Sequence, residues 1–533
     1  MNAASGPPPV GGAGPTDGAG PRALAAGVIA GAIALLLYSL TASRYVGSHD
    51  AAQFQTLART GGIAHAGYPL LIMLLELFDR LPLFTLPFRA NLLSVLSGAV
   101  VVAAAAWSGA RLAGRAEAGV LAALGLALSL TFWKEATHAG VHVFTLALGV
   151  AAFQLALRIS TQPTGVSAFA LGLLGGLGLV SHLTILALAP VGVAAFAFAA
   201  RARRLRARHV VLTGAGLLLG LAPLLYLLAH DRPGQPMNYI HDTLRPDNAT
   251  ELSGGDPPVG RVARAAWLLS ARQYLGGFIF SPFDDTPRRL RDLTLGGFMN
   301  QFPLWGIPLA LWGAWVLWRR RDRAGLFLGL WLGGTLFWVA YGAYPEMVPI
   351  FFLPGLWVAS QLLAVALGAL AARSRAAIVA AGLLLVLTPF ARLTLADPPG
   401  PIARAGVLRG LWHFAPREWD PFTPDTSWDA YGRGVMRTLP PRAVVLACWE
   451  EATTLRYFRY AEPLREDVDV HYNCLAPRPA FAAADSAGRP IFTTYAPTLE
   501  MTGGRAFGEV GRWARGGLWR IEGPTTGGAA PSP

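Results

Sequence analysis

Apolar residues run along this chain in long unbroken blocks instead of the short alternating or amphipathic faces of a soluble fold. The first block, Arg22 to Ala42, is long enough to cross ~30 Å of hydrocarbon as a helix. Further blocks of spanning length lie at about 89–112, 117–134, 139–158, 165–181, 183–200, 209–229, 298–318, 324–342, 348–371 and 376–394. They predict a mainly α, polytopic membrane protein with about eleven transmembrane helices. Residues 1–21, rich in Gly, Pro and Ala without periodicity, read as a disordered tail, and 521–533 as another. Between them the pattern predicts a membrane domain over 22–396, interrupted by polar loops at 43–88 and 230–297, and a separate domain over 397–520. Within the first loop, Tyr68 to Phe78 is apolar but too short to span, which predicts an interfacial or re-entrant helix. In the last domain the run Ala443 to Trp449 reads as a buried strand and Val468 to Tyr472 alternates, so a small mixed α/β fold is expected there. Its two cysteines, Cys448 and Cys474, fit a disulfide or two buried thiols equally well.

Composition sharpens the membrane reading. Of 533 residues, 53% are hydrophobic and only 14% charged, with a mean hydropathy of +0.43; soluble domains carry roughly 25% charge. The net charge of +13 suggests nucleic acid until the cations are located. Lys134 is the only lysine. The arginines crowd the short connections at Arg111 and Arg115, Arg158, Arg201 to Arg208, Arg319 to Arg323, and Arg373 with Arg375. With the N-terminus inside, every one of these connections falls on the cytoplasmic face, as basic loops in membrane proteins do. The charge is therefore topology, and no nucleic-acid partner is expected. The same register puts both large loops and the C-terminal domain outside a cytoplasmic (inner) membrane.

Ionisable residues gather on that outer face. Asp50 follows the first span directly; it fits a helix cap as well as a catalytic carboxylate. His65 and Tyr68 follow in a Gly- and Pro-rich turn. The third span ends Lys134-Glu135-Ala136-Thr137-His138, with His142 beyond, and residues 135, 138 and 142, at spacings of three and four, would share one stripe on a helix. His182 closes the fifth span on the same face. Such boundary groups either snorkel to water or mark a functional site. Three histidines and a glutamate have no diagnostic metal spacing, so no metal site is expected. No phosphate-binding Gly-rich loop, dinucleotide fingerprint or G-x-S-x-G elbow occurs, which removes soluble-nucleotide and serine-hydrolase chemistry.

The run Asp50, Gln53 and Gly62-Ile63-Ala64-His65-Ala66-Gly67-Tyr68-Pro69-Leu70 resembles the first-loop motif of a multispanning family whose eukaryotic relatives are transmembrane protein O-mannosyltransferases, within the GT-C class of glycosyltransferases. Arg89-Ala90-Asn91-Leu92-Leu93-Ser94, Phe132-Trp133 with Val143-Phe144-Thr145-Leu146, and Gly176 to Thr184 are similar to later motifs. Leu439 to Leu446, Thr453 to Tyr457 and Arg465 to Val468 are similar to the family's external segment. Gln53 stands where the family usually carries an acid, the turn before Tyr68 is shortened, and His142 replaces a glutamate.

The resemblance implies a GT-C fold and sugar transfer from a polyprenyl-phosphate donor, a co-substrate and not a cofactor, to a hydroxyl of a protein, envelope glycan or lipid. Asp50 would be the base. The candidate substrate-binding set is Gln53, His65, Tyr68, Arg89, Asn91, Lys134, Glu135, His138, His142, His182, Arg272 and Glu346. Arg288 and Arg289 of the second loop are further candidate cations for the departing phosphate. A lipid or solute transporter would also use many spans and boundary histidines, but it predicts internal repeats and interrupted midplane helices; no convincing repeat is seen, and the polar residues cluster at one face instead of the midplane. A catalytically inactive membrane scaffold is the third class.

Overall fold

The computed structural model describes residues 19–242, 258–272, 287, 289, 291, 293, 301–302, 305–342, 348–394, 421–472, 484, 487–499 and 501–522. The chain opens with the long helix α1 (Ala19–Thr41), followed by two outer helices, α2 (His49–Thr60) and α3 (Pro69–Asp79). It continues through α4 (Leu86–Ala113), α5 (Ala116–Ala127), α6 (Leu130–Thr137), α7 (His142–Thr161) and α8 (Gly165–Leu179). A 3₁₀ segment (Leu183–Leu188) leads into α9 (Ala189–Arg201), then come α10 (Ala207–Gly220), α11 (Leu224–His230), α12 (Tyr239–Asp242) and α13 (Arg261–Leu269). The membrane part closes with α14 (Gly306–Arg319), α15 (Arg323–Gly342), α16 (Val348–Phe351), α17 (Leu353–Ala371) and α18 (Arg375–Thr394).

Among the described residues each apolar run read from the sequence carries helix, but the runs are not equivalent. Among the described residues seven helices are long and apolar enough to cross a membrane, and an eighth crossing is made if α5 and α6 count as one. That pair is bent by 71°. At the break the Ser129 hydroxyl donates to the Leu126 carbonyl, while Gln301 Oε1 accepts from the Thr131 amide at 2.9 Å. Backbone groups freed by the bend thus find side-chain partners, the condition for breaking a helix at membrane depth. α8 and α18 carry apolar stretches shorter than a span.

Packing follows the rule for helices in lipid, where small residues let backbones approach. Gly172 and Gly176 of α8 face Gly216 and Gly220 of α10 so closely that a Cβ on any of the four would run into the opposite backbone. Larger side chains fill the centre: Phe153 stacks on Trp331, and Trp357 closes on both. Val28, Leu36, Leu40, Val193, Val211 and Leu218 point outward, the inverse of a soluble protein, as lipid-facing positions do.

Over one end of the bundle lies a polar layer. Asp79 at the end of α3 receives Arg59 of α2 at 2.6 Å and Arg89 of α4 at 2.7 Å, so one carboxylate ties three helices. The segment after Gly61 is pressed onto the second loop: Gly62, at φ +121°, would place a Cβ 2.7 Å from the carbonyls of Pro236 and Met237. The C-terminal domain completes the layer with α19 (Ser427–Thr438), β1 (Val444–Ala447), α20 (Trp449–Arg456), β2 (Asp469–Tyr472), β3 (Ile491–Thr493), β4 (Phe507–Trp513) and β5 (Gly516–Ile521). The sheet order is β2-β1-β3-β5-β4, with β1 parallel to both neighbours and β5 antiparallel to both of its own. The strands expected near 443 and 468 are β1 and β2. Cys448 is disulfide-bonded; Cys474, the one other cysteine in the chain, lies outside the described residues.

Candidate active site

Asp50 sits in the first turn of α2, where the chain emerges from α1. It does not cap that helix. Its Oδ1 accepts from the indole N–H of Trp449 at 3.2 Å, and its Oδ2 lies 3.5 Å from His65 Nε2. The preceding residue, His49, is held at φ +52° and reaches Glu450 of α20 at 2.9 Å. Burial opposes the His49 imidazolium, yet the Glu450 hydrogen bond and charge, with Asp50 adding, leave its pKa raised.

His65 stands between two sides of the site. Gln53 Oε1 accepts from Nδ1–H at 2.7 Å, which leaves the Nε2 lone pair to accept from the Tyr68 hydroxyl at 3.3 Å. Burial lowers the His65 pKa, with the Asp50 charge pushing the other way by less, so the ring is neutral near pH 7. Tyr68 is itself in the left-handed region, at φ +47°, immediately before Pro69. Such a conformation costs a non-glycine residue about 1–3 kcal/mol and clusters at functional sites. With His49, that puts two strained residues around one carboxylate.

From Tyr68 the rings continue inward. Tyr68 stacks on His182 at 5.9 Å, His182 meets His142 edge-on at 4.9 Å, and both imidazoles pack on Phe351. Beneath them a crevice lined by His142, Thr145, Thr184, Trp331, Ile350 and Phe351 enters the bundle. The Thr145 hydroxyl is buried there without a hydrogen-bond partner among the described residues. A carboxylate, a neutral imidazole, a phenol and an apolar crevice therefore form one continuous track from the polar layer into the membrane.

Residues 50–205 match the model of the protein O-mannosyl-transferase TMEM260 N-terminal domain. Over that stretch the chain is similar to the family. The match begins at Asp50 and takes in the whole track as far as His182. ArnT from Cupriavidus metallidurans in the apo state superimposes with a TM-score of 0.52 at 15% identity, covering 92% of this chain and 97% of that one. ArnT bound to undecaprenyl phosphate gives 0.50 at 14%, with the same coverage. At this identity the likeness is one of fold: the chain has an ArnT-like fold, with helices long and apolar enough to cross a membrane. No curated protein matches by sequence.

Within the family region, the expected substrate-binding residues divide into those that meet and those that do not. Gln53, His65, Tyr68, His142 and His182 form the track with Asp50. Asn91 is instead a bracket: it is fully buried, its Oδ1 accepts from the Ala139 amide at 2.7 Å and from Gln55, and its Nδ2 donates to the Ser43 carbonyl at 2.9 Å. Arg89 spends its guanidinium on Asp79 and on the carbonyls of Leu83 and Phe84. Both hold the loop through these bonds. Glu135, His138 and His142 do not share a helical stripe, because they do not lie on one helix: α6 stops at Thr137 and α7 begins at His142. His138 turns its Nδ1–H back to the Lys134 carbonyl at 2.8 Å, closing α6. Glu135 is half-buried, as is Lys134, which makes no ion pair among the described residues. Of the second-loop cations, Arg272 is exposed just beyond α13, and Arg289 is buried with a bond to the Ala340 carbonyl. Glu346 and Arg288 lie outside the described residues.

Two residues of the site were not read from the sequence. Trp449 and Tyr239 stand edge-on to one another at 6.1 Å and both face His65. The sequence offers one signal for Trp449, an aromatic next to two acids directly after a buried strand.

Proposed function

We propose that this chain is an inverting GT-C glycosyltransferase that moves a sugar from a polyprenyl phosphate to a hydroxyl group on the extracytoplasmic side of the membrane. The acceptor oxygen attacks the anomeric carbon, the bond from that carbon to the phosphate oxygen breaks, and the acceptor proton passes to Asp50. The other product is the free polyprenyl phosphate. An alcohol is a poor nucleophile until a positioned carboxylate takes its proton. The observation that carries the reading is the placement of Asp50, whose Oδ2 is open beside a neutral His65 at the head of a track that runs into an apolar crevice.

The leaving phosphate gains charge as the bond breaks, and a cation near it lowers the barrier. Lys134 is the candidate, a half-buried ammonium whose charge is not taken up by any carboxylate among the described residues. His142 and His182 would line the donor's path, and mannose is the first sugar to test because the matching family carries it in its description. The arginine-rich connections support an orientation with the N-terminus cytoplasmic.

The test is sugar transfer by the purified protein in lipid, with polyprenyl-phosphate mannose as donor and Ser/Thr peptides or envelope glycolipid as acceptor. Asp50→Asn is expected to lower the rate by about 10²–10⁴-fold, the range a general base contributes, with membrane insertion intact. Unchanged transfer by that variant removes Asp50 as the base.

A further inference from the structure

The Asp50 carboxylate is reached from the far end of the chain. The first turn and a half of α20 lies along the segment between α1 and α2. Trp449 Nε1–H donates to Asp50 Oδ1 at 3.2 Å, Glu450 meets His49 at 2.9 Å, and the Thr454 hydroxyl donates to the Gly47 carbonyl at 3.1 Å. The indole is itself fixed from three directions, by His65 at 5.7 Å, by Tyr239 of the second loop at 6.1 Å and by Tyr472 of β2 at 5.3 Å. No other donor reaches Asp50 within hydrogen-bond distance among the described residues.

We infer that Trp449 is the positioning residue for the carboxylate, a role that rests on the function proposed above. An indole N–H is a donor only, so its bond to Asp50 has one sense. It engages Oδ1 and thereby fixes the rotation of the group. Oδ2 then faces His65, whose Nε2 lone pair is taken by the Tyr68 hydroxyl and cannot donate to it. One oxygen is held by the indole and the other is left without a donor, available to an acceptor hydroxyl. A carboxylate free to rotate would spend part of its time with neither oxygen aligned, and misalignment of this kind is costly in rate. Because the indole comes from the C-terminal domain, the base is aligned only when that domain is seated on the first loop.

The two parts of the residue can be separated. Trp449→Phe keeps an aromatic ring against His65 and Tyr239 and loses the N–H. A hydrogen bond to a charged group is worth about 1.5–3 kcal/mol, so kcat is expected to fall about 10- to 100-fold while KM stays within twofold. Trp449→Phe combined with Asp50→Asn should be no slower than Asp50→Asn alone, since the lost bond acts only through that carboxylate. A residue serving the fold alone would reduce yield and thermal stability but leave kcat of the surviving protein unchanged. The inference is overturned if Trp449→Phe keeps the wild-type kcat, or if it slows Asp50→Asn by a further factor of ten. Absence of transfer by the wild-type chain overturns the glycosyltransferase reading and this role together; activity lost in Asp50→Asn but kept in Trp449→Phe overturns this role alone.

Discussion

Around Asp50 each side chain has one job that its neighbours define. Gln53 fixes which nitrogen of His65 carries the proton, and Tyr68 fills the other. Protonation of His65 would displace the Tyr68 hydrogen bond and turn the ring into a partner for Asp50 Oδ2, blocking the basic oxygen. Since burial holds the His65 pKa below its ordinary 6.5, the ring is neutral above that value and charges only as pH falls below it. The acid limb of kcat against pH is therefore expected below pH ~6.5, and His65→Asn should shift or remove it; a limb lying well above 7 would contradict the assignment. Asn91 belongs to the same scale but to stability. Its substitution by Leu strands the buried Ala139 amide, at about 1–3 kcal/mol for a buried group left unpaired, and frees the half-buried Ser43 carbonyl. Thermal unfolding in detergent should show it as a clear drop, with kcat of the folded fraction nearly kept. The motif around Asn91 was legible in the sequence, and its role was not: a residue that brackets backbone and one that grips substrate leave the same trace, a polar side chain among apolar ones.

Helices were the most legible level, because a bilayer demands long apolar runs and these were plain. What the runs concealed was where they break. Nothing apolar distinguishes Leu128-Ser129 from its surroundings, and the bend depends on Gln301, a residue more than 170 positions away whose side chain bonds Thr131 twice. A second break, where α6 ends at Thr137 and α7 begins at His142, separates Glu135 from His142, since a 3.6-residue period has meaning only within one helix. The α8–α10 contact shows the opposite case, where a short pattern decides the geometry. Gly172 and Gly176 oppose Gly216 and Gly220 at a distance that admits no side chain. Gly216→Leu is expected to cost more than the 1–3 kcal/mol typical of overpacking, because the clash is with backbone, and membrane-inserted yield should fall sharply; Gly214→Leu, with open space at its Cβ, is the matched control.

Across the whole molecule the site is made by two ends of the chain. The first loop brings the carboxylate and the C-terminal domain brings the indole, 399 residues later. Sequence reading found both the loop and the small mixed α/β domain, but no local pattern states that one seats on the other. That contact is a shared apolar core, in which Phe54, Leu57 and Ala58 of the first loop pack in one buried cluster with Ala452, Leu455 and Phe458 of the C-terminal domain, and a handful of polar side chains and rings border it. Removal of residues 421–533 should therefore leave the helices inserted, as protease protection would register, while transfer falls to the level of Asp50→Asn. Retention of activity by the shortened chain would mean that the membrane part alone aligns its base.

Lys134 has a practical consequence that its chemistry makes unusual. In a chain of 533 residues it is the single lysine, so the protein offers amine reagents one internal target beside its N-terminus. That target stands half-buried near the end of the bent helix pair. A label placed there reads one position without any cysteine having to be engineered, and its rate of attachment, with and without added polyprenyl phosphate, turns a compositional oddity into a direct gauge of whether the donor reaches the site.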